Sequence, residues 1–296
     1  MLVIVAYLVV LIVWSTTPLG IAWSAESVHP TMAVLSRMAI AWVLGLVIIL
    51  CTPIKLPFSK PAKRLYLYSG IGIFCGMTLG YFASRHISSG LMSLVFGLAP
   101  IISGVLAPKV LKAKPLSRTQ LVAMCIAAFG LTLVCIDGVS FGEKALLGIG
   151  YVLMAVTFFS VSGLLVKSVD IEIHPIATTV GALTYTMPLF FIAWLVSDGS
   201  FDVASWSQRS IAAILYLAIV GSLLGFVAYY YILQKLDATT VAFVTMLTPI
   251  AAVTLGAYLN HEPITFDLVF GGSLIMVGLA LYNFGDKWIH RKRVAQ

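Results

Sequence analysis

A single arginine lies deep inside an apolar stretch of the sequence. Arg37 follows Pro30 by 7 residues, which is about 10 Å along a helix. A charge at such a depth in a membrane costs on the order of 2.5–3.5 kcal/mol and usually marks a pathway or a buried partner. No Asp or Glu occurs at a matching depth, so the remaining partners are backbone carbonyls, water or an anionic substrate group. The alternative is that Arg37 snorkels toward the headgroups at the start of its helix or is a purely structural tie.

Other polar and aromatic residues within apolar runs suit a solute pathway. Pro100 and Pro249 lie in mid-run, where a proline bends a helix and frees a carbonyl, and we expect Ser93 and Thr245 near these bends to face a cavity. Tyrosines near the ends of a span more often form interface belts, which favours the mid-run Tyr185 over Tyr81. The predicted substrate-binding residues are Arg37, Trp14, Ser15, Thr16, Tyr81, Ser93, Tyr185 and Thr245.

The motifs of several enzyme classes are missing from the chain. It contains no GxxxxGK[ST] loop, no HExxH and no pair of mid-run acids, which argues against an ATPase and against intramembrane zinc or aspartyl proteases. The four cysteines show no CxxC spacing and are interpreted as small hydrophobes. We therefore predict no catalytic residue, metal site or cofactor. The rival interpretation is a polytopic membrane enzyme acting on lipid-linked groups, which should show several acidic or His residues converging at a membrane face, whereas Glu262 stands alone.

The elements that carry these residues are predicted to be membrane-spanning helices. The chain is 60% apolar and 10% charged, with a mean hydropathy of +1.05, whereas soluble domains are about 45–50% apolar and about 25% charged. A cleaved signal peptide is the alternative for the first run, but no Lys or Arg precedes it. Ten runs reach the roughly 20 residues that a bilayer requires, at about 3–23, 31–51, 65–84, 89–108, 118–137, 147–167, 176–197, 209–232, 238–259 and 265–285.

The distribution of basic residues predicts the orientation. Of the 18 Lys and Arg residues, 14 occur in the links after runs 2, 4, 6 and 8 and in the C-terminal tail, and 3 occur in the other links. The positive-inside rule then places both termini in the cytoplasm of a multi-pass protein, which we assign to a bacterial cytoplasmic membrane. Because the basic residues are spread along short connectors, the net charge of +7 indicates membrane orientation and not a nucleic-acid partner.

A repeated plan divides the chain into residues 1–138 and 139–296. Four landmark residues recur at an offset of 149 positions, so that Gly72, Gly76, Tyr81 and Pro100 match Gly221, Gly225, Tyr230 and Pro249. Since each copy holds five spans, an odd number, the second copy must enter the membrane upside down. The fold class predicted is therefore an all-α membrane protein with ten transmembrane helices in two inverted five-helix repeats. Inverted repeats are a transporter architecture, with the substrate site near mid-membrane between the copies.

Several segments also resemble a known family. Gly97–Gly130 and Leu247–Gly278 are similar to the paired EamA repeats of the drug/metabolite transporter superfamily, and Glu262–Thr265 fits the polar turn of the second repeat. The first copy departs from that pattern, with Lys114 where an acidic residue is usual. Trp14–Thr16 and Arg37 also resemble the opening segments of the family. The resemblance implies a secondary transporter for small organic metabolites such as amino acids or related anionic compounds. It also implies that the direction of transport is export. Its partners would be the small-molecule substrate and the lipid bilayer, and a homodimer is left open.

Overall fold

The computed structural model describes residues 2–140, 144–197, 199–236 and 238–294, without the side chains of 135–140, 238–243 and 287–294. Every regular element in those ranges is helical, including a short 3-10 turn at Val203–Ser205. The long helices are α1 (Leu2–Ser24), α2 (Pro30–Cys51), α3 (Lys60–Ala83), α4 (Ser89–Leu111), α5 (Arg118–Ser140), α6 (Ala145–Lys167), α7 (Pro175–Ser197), α8 (Gln208–Lys235), α9 (Ala238–Asn260) and α10 (Phe266–Val294).

Polar residues at the helix starts explain several of these boundaries. The hydroxyl oxygens of Ser59, Ser88 and Ser207 accept hydrogen bonds from backbone N–H groups in the first turns of α3, α4 and α8. Such caps satisfy donors that have no partner within the helix. Pro30 and Pro175 begin α2 and α7, where the missing N–H of proline costs nothing.

Most of these helices are long and apolar enough to cross a bilayer. Eight described helices meet the requirement, and two further apolar helices in the described ranges, Arg118–Val134 and Val244–Asn260, are shorter. Large apolar side chains such as Leu50 and Val196 are more than three-quarters exposed on the outside of the bundle. A surface of that kind is compatible with lipid and not with water. The chain is therefore a multi-pass, all-helical membrane protein.

The helices pack in a limited set of pairs. Helix α5 packs along α10, α2 against α7, and α4 against α9. The other main pairs are α1 with α9, α4 with α6, α3 with α7, α2 with α8, α3 with α6, and α1 with α8. In these main pairs α3 contacts helices of the second half of the sequence, and α8 contacts helices of the first half.

Two helices contain a π-helical segment at matching places in the sequence. The segment in α3 covers Gly72–Gly76, and the segment in α8 covers Leu217–Leu224. The pairs Gly72 and Gly76 in α3 and Gly221 and Gly225 in α8 have GxxxG spacing, which allows close packing of helices. A β-carbon on Gly76 would overlap the ring of Phe159 in α6, and one on Gly225 would lie 2.8 Å from Val13 Cγ1 in α1.

The links after α4 and α9 begin with the same backbone conformation. Lys112 and His261 have φ values of 53° and 52°, which place both in the left-handed region that L-residues rarely adopt. Each is the first residue after its helix. The two turns therefore leave their helices in the same way although their side chains differ.

Candidate functional site

An internal cavity of about 460 Å³ lies between the two halves of the bundle. Helices α1, α3 and α4 line it from the first half, and α6, α8, α9 and α10 from the second. The polar and aromatic residues of the wall are Trp14, Thr17, Ser69, Ser93, Phe96, Ser103, Phe159, Ser160, Ser162, Lys167, Phe226, Tyr229, Tyr230, Thr245, Thr248, Tyr282 and Asn283. The cavity is large enough for a small organic molecule.

Among the described residues, the exposed part of the cavity wall lies toward one end of the bundle. Helix α6 is 23 residues long, or about 35 Å, and its last residue, Lys167, is an exposed part of the cavity wall. At the other end of the cavity Met92 is fully buried and Ile21 is 4% exposed. That closed end is also the end at which Glu262 lies, because Glu262 contacts the start of α4. We refer to the two ends as the Lys167 end and the Glu262 end.

The wall combines aromatic rings with neutral hydrogen-bonding groups. The rings of Trp14 and Tyr229 lie with centroids 5.3 Å apart, and the hydroxyl groups of Ser69 and Tyr230 form a hydrogen bond that joins α3 to α8. Ser160 Oγ donates to the backbone oxygen of Ala99 at 3.3 Å. Lys167 is the charged side chain among the described wall residues. Such a wall suits a molecule with an apolar body and a few polar groups.

Three of the residues predicted from the sequence meet at this cavity. Trp14 from α1, Ser93 from α4 and Thr245 from α9 all lie in its wall. Pro100 explains part of this placement, since it lines the cavity itself and α4 is interrupted between Phe96 and Ala99. Helix α9, by contrast, continues without interruption through Pro249.

The other five predicted residues lie outside the cavity wall, and two of them, Ser15 and Thr16, are on α1. Ser15 is buried and donates to the backbone oxygen of Leu11 at 2.7 Å. The hydroxyl of Thr16 is 2.6 Å from that of Tyr216 in α8. On α1 the wall residues are Trp14, Thr17, Pro18 and Ile21, which share one face at three- and four-residue spacing, so the neighbours Ser15 and Thr16 point elsewhere.

The two predicted tyrosines are also away from the cavity. Tyr81 is fully buried, and its hydroxyl accepts a hydrogen bond from Ser24 Oγ at 3.3 Å near the Glu262 end. Tyr185 is 36% exposed on the outside of α7, with its ring 6.4 Å from that of Tyr66. A position at mid-run thus did not distinguish a residue of the wall from one on the outer surface.

Arg37 is enclosed between α2 and the π-helical segment of α8. Its side chain is 0% exposed, which corrects the alternative that it snorkels to the surface. Nε donates to Ser222 Oγ at 2.7 Å, and neither Nη1 nor Nη2 has a hydrogen-bond partner among the described residues. A β-carbon on Gly221 would lie 3.2 Å from Nη2, so the glycine makes room for the guanidinium. Arg37 does not form part of the cavity wall but ties α2 to α8.

We expect Arg37→Lys to destabilise the protein without weakening substrate binding. The ammonium of lysine cannot reproduce the fixed Nε–H of arginine, and a lost bond to a buried charged group costs about 1–3 kcal/mol. Ser222→Ala should have a similar effect, and the double variant should lose less than the sum. Thermal unfolding in detergent measures both, with the exposed Arg209→Lys as the control. Weaker binding of an anionic substrate at unchanged stability would instead place Arg37 at the substrate.

The sequence analysis missed several residues of the cavity wall. Ser160, Ser162 and Gly163 lie together on α6, and Asn283 lies on α10. A cluster of small polar residues within an apolar run was the available signal for the first three. Lys167 was counted only as a charge that sets orientation, although it also lies in the cavity wall.

The Glu262 end also carries one titratable ring with a shifted pKa. His86 lies in the link between α3 and α4, and its ring stacks on Tyr151 with centroids 6.2 Å apart. Burial lowers the pKa of His86 below its ordinary value, and the positive charges of Lys144 and Arg85 lower it further. His86 is therefore held neutral near pH 7.

Apolar helices around a cavity with a partly polar wall define an integral membrane protein with internal space for a small molecule. The chain belongs to the EamA-like transporter family, whose model matches residues 1–136 and 146–284. The resemblance noted from the sequence is thus confirmed. The family and the names of the relatives point to transporters, which are not enzymes.

Relatives from distant organisms cover most of the chain. An uncharacterized transporter of Archaeoglobus fulgidus is 25% identical over 90% of this chain and 93% of its own length. A probable amino-acid metabolite efflux pump of Escherichia coli is 24% identical over 78% of this chain and 80% of its own. A probable terminal-alkyne amino-acid exporter of Streptantibioticus cattleyicolor is 23% identical over 84% and 82%. One crystal structure with 14% identity matches the fold with a TM-score of 0.69, covering 96% of this chain and 97% of that one.

Proposed function

We propose that this protein is a secondary transporter that exports small organic metabolites, such as amino acids or related anionic compounds, by alternating access. The observation that carries the proposal is the cavity between the two halves, open at the Lys167 end and closed at the Glu262 end. A solute in such a cavity has access to one side of the membrane at a time. The names of the Escherichia coli and Streptantibioticus cattleyicolor relatives support amino-acid-like substrates and an outward direction.

The proposed architecture is two inverted five-helix repeats, residues 1–138 and 139–296. Exchanging α1–α5 with α6–α10 maps the main helix pairs onto one another: α3–α7 becomes α8–α2, and α4–α6 becomes α9–α1. The π-helical segments of α3 and α8 also correspond. The excess of Lys and Arg in one set of links places both termini on the cytoplasmic side of a bacterial inner membrane. The Lys167 end of the cavity then faces the cytoplasm.

The charge of the wall favours a substrate with a negative group. Lys167 stands at the open end, and the described wall includes no Asp or Glu. A carboxylate entering from that end passes a cation and meets no acidic side chain. Deeper in the cavity, the paired rings of Trp14 and Tyr229 offer an apolar surface for the rest of the molecule.

Transport by the purified protein in liposomes tests this function. Pooled metabolites offered with and without a pH gradient should give saturable uptake above that of protein-free liposomes, and the best substrate should carry a carboxylate. Lys167→Gln should then raise the KM for this substrate several-fold, because it removes the charge at the open end. The control is Lys235→Gln, which changes an exposed lysine outside the wall. An absence of uptake for every pool in correctly folded protein would contradict the proposal.

A further inference from the structure

The carboxylate of Glu262 is seated on the first residues of α4. Its Oε1 accepts a hydrogen bond from the backbone N–H of Ser89, and its Oε2 one from that of Gly90, both at 3.1 Å. These two amides belong to the first turn of α4, where they have no partner within the helix. A negative group at a helix start is stabilised by the charge-assisted bonds and by the helix dipole. Glu262 therefore joins the α9–α10 link of the second half to α4 of the first half.

Asn260 extends this contact to a third element. Its Nδ2 donates to Glu262 Oε1 at 3.1 Å, and its Oδ1 accepts from Trp23 Nε1 at 2.8 Å. The resulting chain of hydrogen bonds runs from the end of α1 through the second half to the start of α4. Gly256 leaves space for it, because a β-carbon there would overlap the Glu262 carboxylate and lie 2.8 Å from Ser89 Oγ.

These contacts lie at the end where the cavity is closed. Met92, two residues beyond Gly90, is fully buried at that end of the cavity wall. A second group of contacts between the halves lies nearby: Ser210 Oγ donates to the backbone oxygen of Trp23 at 2.8 Å, and Ser27 Oγ donates to Ser210 Oγ at 3.0 Å. Both halves are thus held together by polar contacts across the Glu262 end.

The matching link of the first half does not provide the same contact. By the repeat, Glu262 corresponds to Lys114, as the shared proline that follows each residue indicates. Lys114 is exposed and has no hydrogen bond or ion pair within the described part of the chain. A cation is also unfavourable near a helix start. Within the described residues, the contact of a carboxylate with backbone N–H groups at a helix start is therefore found at the Glu262 end and not at the matching link.

We infer that Glu262 is the positioning residue that holds the Glu262 end shut and so biases the resting transporter toward opening at the Lys167 end. The inference rests on the proposed alternating access. At the Lys167 end the position that matches Glu262 holds Lys114, which cannot make the same contact. The state open at the Lys167 end and the state open at the Glu262 end therefore differ in energy, even though the repeat makes their helix packing similar. A change of Glu262 should therefore shift the population between the states.

Accessibility of a cavity cysteine to a membrane-impermeant maleimide tests the inference without any substrate. The reporter is Ser93→Cys in a full-length protein whose native cysteines are replaced, labelled from either side of oriented vesicles. Lys60→Cys at the start of α3 and Ser200→Cys in the link between α7 and α8, on opposite sides of the predicted topology, establish sidedness. Glu262→Gln keeps the shape but places an amide against one of the two backbone N–H donors. We expect labelling from outside to rise about fivefold, since a lost contact of this kind is worth about 1 kcal/mol, and labelling from inside to fall.

A matched variant and an opposite variant separate this role from general loosening. Glu26→Gln removes another acid at the same end, whose contact with Arg209 is an exposed ion pair of 3.6 Å, and it should leave labelling unchanged. Lys114→Glu changes an exposed residue and supplies an acid at the matching position of the first half. It should also raise outside labelling. Unchanged outside labelling in Glu262→Gln, or an equal rise from both sides, overturns the inference. If Glu262→Gln does not fold, unchanged labelling in Lys114→Glu overturns it.

The labelling result and the transport result can fail separately. If the liposomes show no uptake but Glu262→Gln shifts labelling, the proposed function fails while Glu262 still controls access to the cavity. If uptake is normal and labelling does not respond to Glu262→Gln, the transporter is established and the role of Glu262 is wrong.

Discussion

Gly163→Trp is expected to abolish transport while the protein still folds. Gly163 lies in the cavity wall on α6, and a β-carbon there would meet no atom within 4 Å. A tryptophan at this position therefore extends into the cavity without displacing packed side chains. Its indole would occupy a large part of a space of about 460 Å³, and the substrate would have no room.

The matched control for this variant lies on the same helix. Gly150 also has open space around its β-position, but it is not part of the cavity wall. Gly150→Trp should transport at nearly the wild-type rate. Uptake into liposomes and thermal unfolding should be measured for both variants. Normal uptake by Gly163→Trp would show that the substrate takes another route.

Gly130→Val is expected to cause the largest loss of stability of the changes considered. At the crossing of α5 and α10, a β-carbon on Gly130 would lie 2.6 Å from the backbone oxygen of Gly271 and 2.9 Å from the backbone nitrogen of Ile275. Backbone atoms cannot move aside as a flexible side chain can. Because the helices must separate along their contact, we expect a cost of about 3 kcal/mol, the upper part of the range for overpacking.

The midpoint of thermal unfolding in detergent measures this loss. Gly150→Val is the control, because it introduces the same side chain into a helix where a β-carbon meets nothing within 4 Å. Its midpoint shows how much stability is lost when valine replaces glycine in a helix, without the additional loss from the clash between α5 and α10. Equal midpoints for the two variants would show that α5 and α10 do not cross closely at Gly130.

The helical architecture could be predicted because the bilayer imposes it. Apolar runs of about 20 residues have few alternatives to a spanning helix, and helices occur at each of the ten runs. The boundaries were less certain. Helix α3 begins at Lys60 and not near residue 65, because Ser59 caps it and the polar first turn gave no apolar signal.

The site was only partly predictable, since residue type does not fix the direction of a side chain. Trp14, Ser93 and Thr245 line the cavity, whereas Ser15 and Thr16, adjacent to Trp14, point to other faces of α1. Arg37 was identified because a charged side chain within an apolar run costs free energy and therefore needs a reason. Its partner Ser222 is 185 positions away and could be found only from the packing of α2 on α8.

The π-helical segment of α8 changes how this helix should be drawn on a helical wheel. A π turn holds one residue more than an α turn, and one residue corresponds to about 100° of rotation. A wheel drawn through α8 from Gln208 at a constant angle is therefore out of phase beyond Leu224. All the residues of α8 that line the cavity, namely Phe226, Tyr229, Tyr230 and Leu233, lie beyond that point. The π turn therefore affects which side of α8 faces the cavity.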